Sequence, residues 1–216
     1  MISFRDMVFE YPESNFLLRA GALDIEPGQT AAVIGPSGSG KTTLLHIAAG
    51  ILLPAAGSVR VSDTEISNRS DSERRAFRIA NIGLIFQEFE LLEYLTVRQN
   101  ILLPYRINPA LKITAAVGEQ AATLAQSMGI SETLDRPPNR LSQGQRQRVA
   151  ICRAMVTDPK IILADEPTGN LDPETSRKIV QVILDQTAPR NATVLMVTHD
   201  HSLLDRFDRV IDMEGL

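Results

Sequence analysis

Gly35-Pro36-Ser37-Gly38-Ser39-Gly40-Lys41-Thr42 is the stretch that decides the fold of this chain. The octapeptide fits G-x-x-x-x-G-K-[ST] at every fixed position, a pattern that carries meaning when a strand precedes it and a helix follows. Both are legible here. Residues 29–34 read as a short buried strand, and residues 42–49 as a helix. Glycines let the backbone curl so that successive N–H groups point inward at phosphate oxygens. The helix adds its positive N-terminal end. In this reading Gly35, Pro36, Ser37, Gly38, Ser39 and Gly40 cradle a nucleotide's phosphates and Lys41 reaches the terminal ones. The Thr42 hydroxyl ligates Mg2+, and Thr43 adds a further nucleotide contact.

Outward from this loop, short β-rich runs alternate with helical stretches. Residues 2–11 and 17–25 read as strands around a turn at Pro12-Glu13-Ser14-Asn15. Val59 and Val61 mark another strand. Ser70-Asp71-Ser72-Glu73 has capping-box spacing, so a helix starts there and runs to about residue 79, followed by a strand over 82–86. Residues 96–128 are mostly helical in pattern, interrupted by Pro104 and Pro109, and Pro137-Pro138 closes that region. Ser142 opens a helix to about residue 156. Strands over 160–165, 193–197 and 209–213 surround a helix over 173–187. Such alternation indicates an α/β fold on a parallel sheet. The helix-rich block of about 89–158 is the candidate insertion.

Composition narrows the function classes. The chain has 216 residues, 22 Lys+Arg against 26 Asp+Glu, a formal charge of −4 and no tryptophan. An acidic balance without stacking aromatics argues against a general nucleic-acid binder. One cysteine, Cys152, forms no internal disulfide and fits a reducing compartment. No run approaches the ~18 apolar residues of a membrane span; the most apolar window, 44–56, is broken by His46, Gly50 and Pro54. The amino terminus lacks the apolar stretch of a signal peptide. The expectation is a soluble cytoplasmic protein whose membrane role, if any, comes through a partner.

Two further stretches carry chemistry. Ile161-Ile162-Leu163-Ala164 ends in Asp165-Glu166. Carboxylates at the end of a buried parallel strand stand where ligands collect in open α/β sheets. Asp165 is placed to hold Mg2+ through water, and Glu166 to accept a proton from an attacking water. Leu141-Ser142-Gln143-Gly144-Gln145 repeats the capping-box spacing, with Ser142 as N-cap and Gln145 three residues on. A serine-capped N-terminus with Gly144 for close approach is a second anion-seeking element. If two chains pack head to tail, each places its Ser142 on the nucleotide held by the other's Lys41.

With these residues assembled, the whole chain resembles the ATP-binding cassette (ABC) ATPases, and its motifs follow that family's order. Gly35 to Thr42 is similar to the Walker A loop, 161–166 to Walker B, 141–145 to the signature and Leu171-Asp172 to the D-loop. Gln143 stands where the signature has its first glycine, and Gly169-Asn170 where Ser-Ala is commoner. Gln87 resembles the Q-loop glutamine, which in the family touches Mg2+ and links to the membrane partner. His199 resembles the switch histidine on the γ-phosphate, and Tyr11 falls where an aromatic ring stacks on adenine. The resemblance implies a P-loop NTPase cassette with a RecA-like core and antiparallel β subdomain (about 1–88 and 159–216) and an inserted helical subdomain (about 89–158). It also implies ATP and Mg2+ as cofactors, with Lys41, Gln87, Glu166 and His199 as catalytic residues. The implied partners are a second copy of the chain and an integral membrane permease, which would hold the chain at the inner face of the cell membrane.

Gly169-Asn170-Leu171-Asp172, residues 86–92 and Asn100-Ile101-Leu102-Leu103-Pro104 resemble the lipoprotein-release and macrolide-export ATPases of the LolD and MacB type, with the cell-division ATPase FtsE. Transport and FtsE-like force transmission both stay open, and a soluble non-transport cassette is the rival from another class. Phe89, Leu91, Leu92, Tyr94 and Leu95 read either as core or as a groove for a short helix of a membrane subunit. Cys152 reads as a buried apolar residue, His46 and His201 as structural or solvent-facing, and 71–75 as a solvated helix face.

Overall fold

The computed structural model describes residues 1–12, 15–169 and 171–216. Glu13 and Ser14 of the expected first turn, and Asn170 beside the D-loop, lie outside the described residues.

β1 (Ile2–Glu10) and β2 (Leu17–Ile25) pair antiparallel, and β3 (Thr30–Ile34) leads into α1 (Lys41–Ala48). β4 (Ala56–Val61) and β5 (Thr64–Glu65) complete a four-stranded sheet in the order β2-β1-β4-β5. At two residues, β5 is too short to leave a periodic signal in the sequence. Next come α2 (Asp71–Asn81) and β6 (Ile82–Ile85). Ser70 caps α2 as expected: its Oγ accepts from the Glu73 N–H while the Glu73 side chain reaches back to the Ser70 N–H at 2.9 Å. From that helix Arg74 and Arg78 donate to the carbonyls of Gly50 and Ala49, the loose C-terminal end of α1. Cations are favoured at such an end.

Between β6 and β7 the chain is helical. α3 (Val97–Ile101), α4 (Leu103–Ile107), α5 (Ala115–Ser127) and α6 (Gln143–Met155) all lie there. Pro104 opens α4 at one of its first two positions instead of interrupting a longer helix, because a proline there lacks only an N–H that would have no intrahelical partner. Asn100 is fully buried and ties down the segment before α3: its Oδ1 accepts from Leu92 N–H at 2.8 Å, and its Nδ2 donates to the carbonyls of Leu92 and Leu95. β7 (Ile161–Asp165), α7 (Pro173–Thr187), β8 (Thr193–Val197) and β9 (Arg209–Asp212) follow. The second sheet has the order β6-β7-β8-β3-β9, with every pairing parallel.

Side chains alternate across this parallel sheet. Ala32, Ile162, Ala164, Val194 and Met196 join a core with the helices of the inserted stretch and α7. Ala31, Val33, Ile161, Leu163, Leu195 and Val197 join a second core with α1 and the antiparallel sheet. Both faces are covered, which is why β7 and β8 are buried at every position. Gly83 in β6 shows how closely α6 packs. A Cβ there would overlap the Ala154 carbonyl oxygen and stand 2.6 Å from Ile162 Cδ1.

Candidate functional site

The carboxyl ends of β3, β7 and β8 converge on one edge of the parallel sheet, where ligands gather in open α/β folds. After β3 the loop turns through Gly35, Gly38 and Gly40 at φ of 147°, 79° and 96°. These are conformations that side-chain-bearing residues rarely adopt. A Cβ on Gly38 would meet nothing within 4 Å, so the space beside it is open to a ligand. Gly40 is the N-cap of α1 and supplies no side-chain acceptor, so the first turn of the helix is left to an anion. Lys41 Nζ donates to the carbonyls of Gly35 and Pro36, at 2.8 Å each, which holds the ammonium over the loop. The Ser39 hydroxyl oxygen is buried without a hydrogen-bond partner among the described residues.

Tyr11, Phe16, Gly35, Ser37, Gly38, Gly40, Lys41, Thr42, Thr43, Gln87, Glu166 and His199 line one open cavity of about 710 Å³. The fold therefore gathers eleven of the expected residues on a single space. Tyr11 bonds to Thr43 through their hydroxyls at 3.1 Å, and its ring meets Phe9 edge-on with centroids 4.8 Å apart. Phe16 was not legible as a site residue. Its ring is tilted against Tyr11 at 5.7 Å and crowds Gly40, where a Cβ would lie 2.7 Å from Phe16 Cζ. Only packing against the loop reveals it, since in sequence it is an ordinary aromatic just ahead of a strand.

Glu166 follows β7 in a left-handed conformation, φ 43°. Its N–H donates to Val197 O at 3.0 Å and its carbonyl accepts from Gly169 N–H at 3.2 Å. A non-glycine residue held at such a φ costs of order 1–3 kcal/mol and persists where the surroundings over-determine it. The turn aims the carboxylate back at the cavity, with Oε2 3.3 Å from His199 Nδ1. Asp165 is buried beneath it, and burial pushes its carboxyl pKa up while a hydrogen bond with the Thr42 side chain opposes that. Its Oδ1 has no hydrogen-bond partner among the described residues. A desolvated carboxylate oxygen with nothing to accept from, beside a threonine hydroxyl, is a donor set that suits Mg2+, a hard cation that takes oxygen ligands.

Ser142, Gly144 and Gln145 do not line this cavity. Ser142 caps α6 as expected, with Gln145 N–H donating to Ser142 Oγ at 3.3 Å and Ser142 N–H to Gln145 Oε1 at 2.9 Å. Its side chain is exposed. Gly144 lies against Leu171, where a Cβ would meet Leu171 Cδ2 at 3.0 Å. His46 is half-buried on α1, its ring set edgewise to Phe86 at 6.5 Å.

A phosphate loop, a buried acidic strand end and a histidine on one sheet edge define a nucleotide-hydrolysing P-loop protein. Residues 18–169 match the ABC transporter family; the chain belongs to that family, as one of its ATP-hydrolysing ATP-binding cassettes. Among its relatives, an uncharacterised ABC transporter ATP-binding protein of Mycobacterium tuberculosis is 41% identical over 192 residues, 89% of this chain and 77% of that one. The lipoprotein-releasing system ATP-binding protein LolD 1 of Rhodopirellula baltica is 39% identical, across 99% of this chain and 93% of its own length. The dimeric post-hydrolysis structure of the ATP-binding cassette MJ0796, bound to ADP and Pi, superposes with a TM-score of 0.91 at 32% identity, covering 98% of this chain and 94% of that one.

Proposed function

We propose that the chain is the ATP-hydrolysing subunit of a lipoprotein-release or export transporter, working as a head-to-tail dimer that drives an integral membrane permease. What carries the dimer is a separation within the chain. Lys41, Gln87, Glu166 and His199 surround one cavity, whereas the capped, glycine-bearing N-terminus of α6 stands outside it. A second copy supplies that missing wall. The solved MJ0796 dimers and the name of the LolD relative support the dimer and the transport class respectively.

In this reading the loop N–H groups and Lys41 hold the β- and γ-phosphates, with Lys41 leaving the Gly35 and Pro36 carbonyls for the phosphate. Tyr11 packs against the base. Thr42, Gln87 and Asp165 would hold Mg2+, which would supply positive charge to offset that of the phosphates. Glu166 takes the proton of the attacking water. His199, 3.3 Å from Glu166, contacts the γ-phosphate and keeps the carboxylate aimed at the water. The Ser142 hydroxyl and the α6 N-terminus of the second copy meet the γ-phosphate from the other side. Hydrolysis removes the anion that bridges the two copies, so each turnover opens the dimer and moves the attached permease.

Glu166→Gln tests both parts. It keeps the shape of the site and removes the base, so with Mg2+ and ATP it should bind nucleotide, run as a dimer in light scattering and hydrolyse at least about a hundredfold more slowly. Wild-type turnover by this variant defeats the assignment of the base. A monomer at saturating ATP defeats the shared site.

A further inference from the structure

The inserted helical stretch rejoins the parallel sheet through a turn between Met155, where α6 ends, and Ile161, where β7 begins. Asp158 stands in that turn in a left-handed conformation, φ 51°, and its N–H donates to Met155 O at 3.1 Å. Aspartate is one of the few side-chain-bearing residues that tolerate this region. Its Oδ1 takes donors from two distant parts of the chain. Gln120 Nε2 on α5 reaches it at 2.7 Å, and so does Arg190 Nη1, in the short 3-10 turn after α7. One oxygen therefore joins α5, the α6–β7 turn and the segment that leads α7 into β8. Tyr105 of α4 adds a further tie to the same turn, its hydroxyl donating to Val156 O at 3.3 Å. Burial raises the Tyr105 pKa, and the nearby Asp158 charge adds to the rise.

The consequence of this joint is geometric. Arg190 and Asp158 are 39% and 47% exposed, and an ion pair of that kind adds little to stability. A second brace lies further along α6, where Arg148 Nη1 donates to Met128 O at the end of α5, at 3.2 Å. With Gln120 held at Asp158, α5 runs antiparallel along α6 and is fastened to it at two places, so the two helices tilt together. The 13 residues of α6 span about 20 Å, and Ser142 caps the far end. A tilt of about 3° at the joint carries that capped N-terminus through about 1 Å, and a misplacement of this size can cost about a hundredfold in rate. On the other side of the joint, β7 runs directly to Asp165 and Glu166.

Resting on the head-to-tail dimer proposed above, we infer that Asp158 is a positioning residue for hydrolysis. By holding Gln120 and Arg190 on one carboxylate oxygen it fixes the angle between α6 and β7, and so the place where each copy presents Ser142 to the other's nucleotide. Asp158 touches neither nucleotide nor water in that reaction. The five residues of β7 put about 16 Å of strand between the joint and the acidic pair, twice the Debye length of about 8 Å. A charge changed at the joint therefore reaches the site through the tilt of α6 rather than through its own field. Nucleotide binding by a single copy does not need the joint; assembly of the shared site does.

The test uses the full chain carrying Glu166→Gln, with Mg2+ and ATP. Sedimentation reads the dimer dissociation constant and calorimetry the melting temperature. A fluorescent ATP analogue reads nucleotide affinity at protein concentrations too low for the dimer. Arg190→Glu sets like charges against each other at the joint. It should raise the dimer dissociation constant at least about tenfold, which corresponds to about 1.4 kcal/mol, and leave nucleotide affinity within about twofold. Its Tm should fall by no more than about 3 °C, as for an exposed pair. Arg190→Lys keeps the ion pair and should restore most of the dimer. Gln120→Ala removes the other donor and should weaken the dimer in the same direction. If the parent chain stays a monomer at saturating ATP, the head-to-tail reading fails and the role of Asp158 falls with it. If the parent dimerises, three results overturn the positioning role alone: Arg190→Glu or Gln120→Ala dimerises as tightly as the parent, Arg190→Lys does no better than Arg190→Glu, or nucleotide affinity and Tm fall along with the dimer.

Discussion

Asp165→Asn offers a direct test of how the site trades stability for metal binding. The Asp165 side chain is 4% exposed and its Oδ1 has no partner among the described residues. Burial raises its pKa, the hydrogen bond with Thr42 only partly opposing this. A carboxyl whose pKa is higher in the folded chain than in the unfolded one weakens folding at pH above that raised value, and the penalty fades as pH falls through it. Asparagine keeps the size and removes the charge. An unsatisfied buried polar group costs about 1–3 kcal/mol and a charged one more. The amide still leaves one group unsatisfied, so the nucleotide-free variant should gain about 1 kcal/mol. For a chain of this length that is a rise of about 2–4 °C in Tm. Scanning calorimetry at neutral pH reads it, and the gap should narrow in acid. Mg2+ with ATP should reverse the order: ligand at a hundredfold its Kd stabilises the wild type by about 2.7 kcal/mol, and the variant gains less. A variant that melts at or below the wild type without nucleotide would falsify the claim that this carboxylate is strained in wait for a cation.

Three further outcomes follow from the packing. Gly83→Ala pushes a methyl into the Ala154 carbonyl and should lower stability by about 1–3 kcal/mol, seen as an earlier urea midpoint; an unmoved midpoint would mean that α6 is free to shift on β6. Asn100→Ala removes the acceptor of Leu92 N–H and the donor of the Leu92 and Leu95 carbonyls, at a cost of about 1–3 kcal/mol. Hydrogen exchange should quicken first over residues 91–96, and uniform loosening of the whole chain would contradict a local role. Cys152 is fully buried and its thiol is pushed up to about 12. It should therefore resist a disulfide reagent in the native protein at neutral pH and react freely in denaturant; fast labelling of the native chain would show that α6 opens readily.

Much of this protein is local in origin, and that part is legible from residues alone. The phosphate loop is set by glycine conformation and by the strand and helix that flank it. Ser70 and Ser142 announce their helices because a cap is a contact over three residues, as between Ser142 and Gln145; the cap that Asp172 forms with Thr175 at 3.0 Å appears only in the structure. The helix Pro173–Thr187 and the strand Thr193–Val197 begin and end where patterning alone puts them. The acidic pair after β7 is marked by the apolar run before it.

Tertiary structure decides what depends on approach between segments distant in sequence. Sheet order is one case, since β3 lies between β8 and β9, strands more than a hundred and fifty residues later in the chain. That arrangement brings His199 within reach of Glu166 and opens one cavity between them and Lys41. The left-handed turn of Glu166, the orphaned oxygen of Asp165 and the crowding of Gly40 by Phe16 have no local signature. Each is imposed by neighbours that the chain meets only when folded. The same holds for the joint at Asp158, which Gln120 on α5 and Arg190 after α7 share. Short-range backbone chemistry writes the motifs into the sequence; long-range packing sets which of them face one another, and with what charge between them.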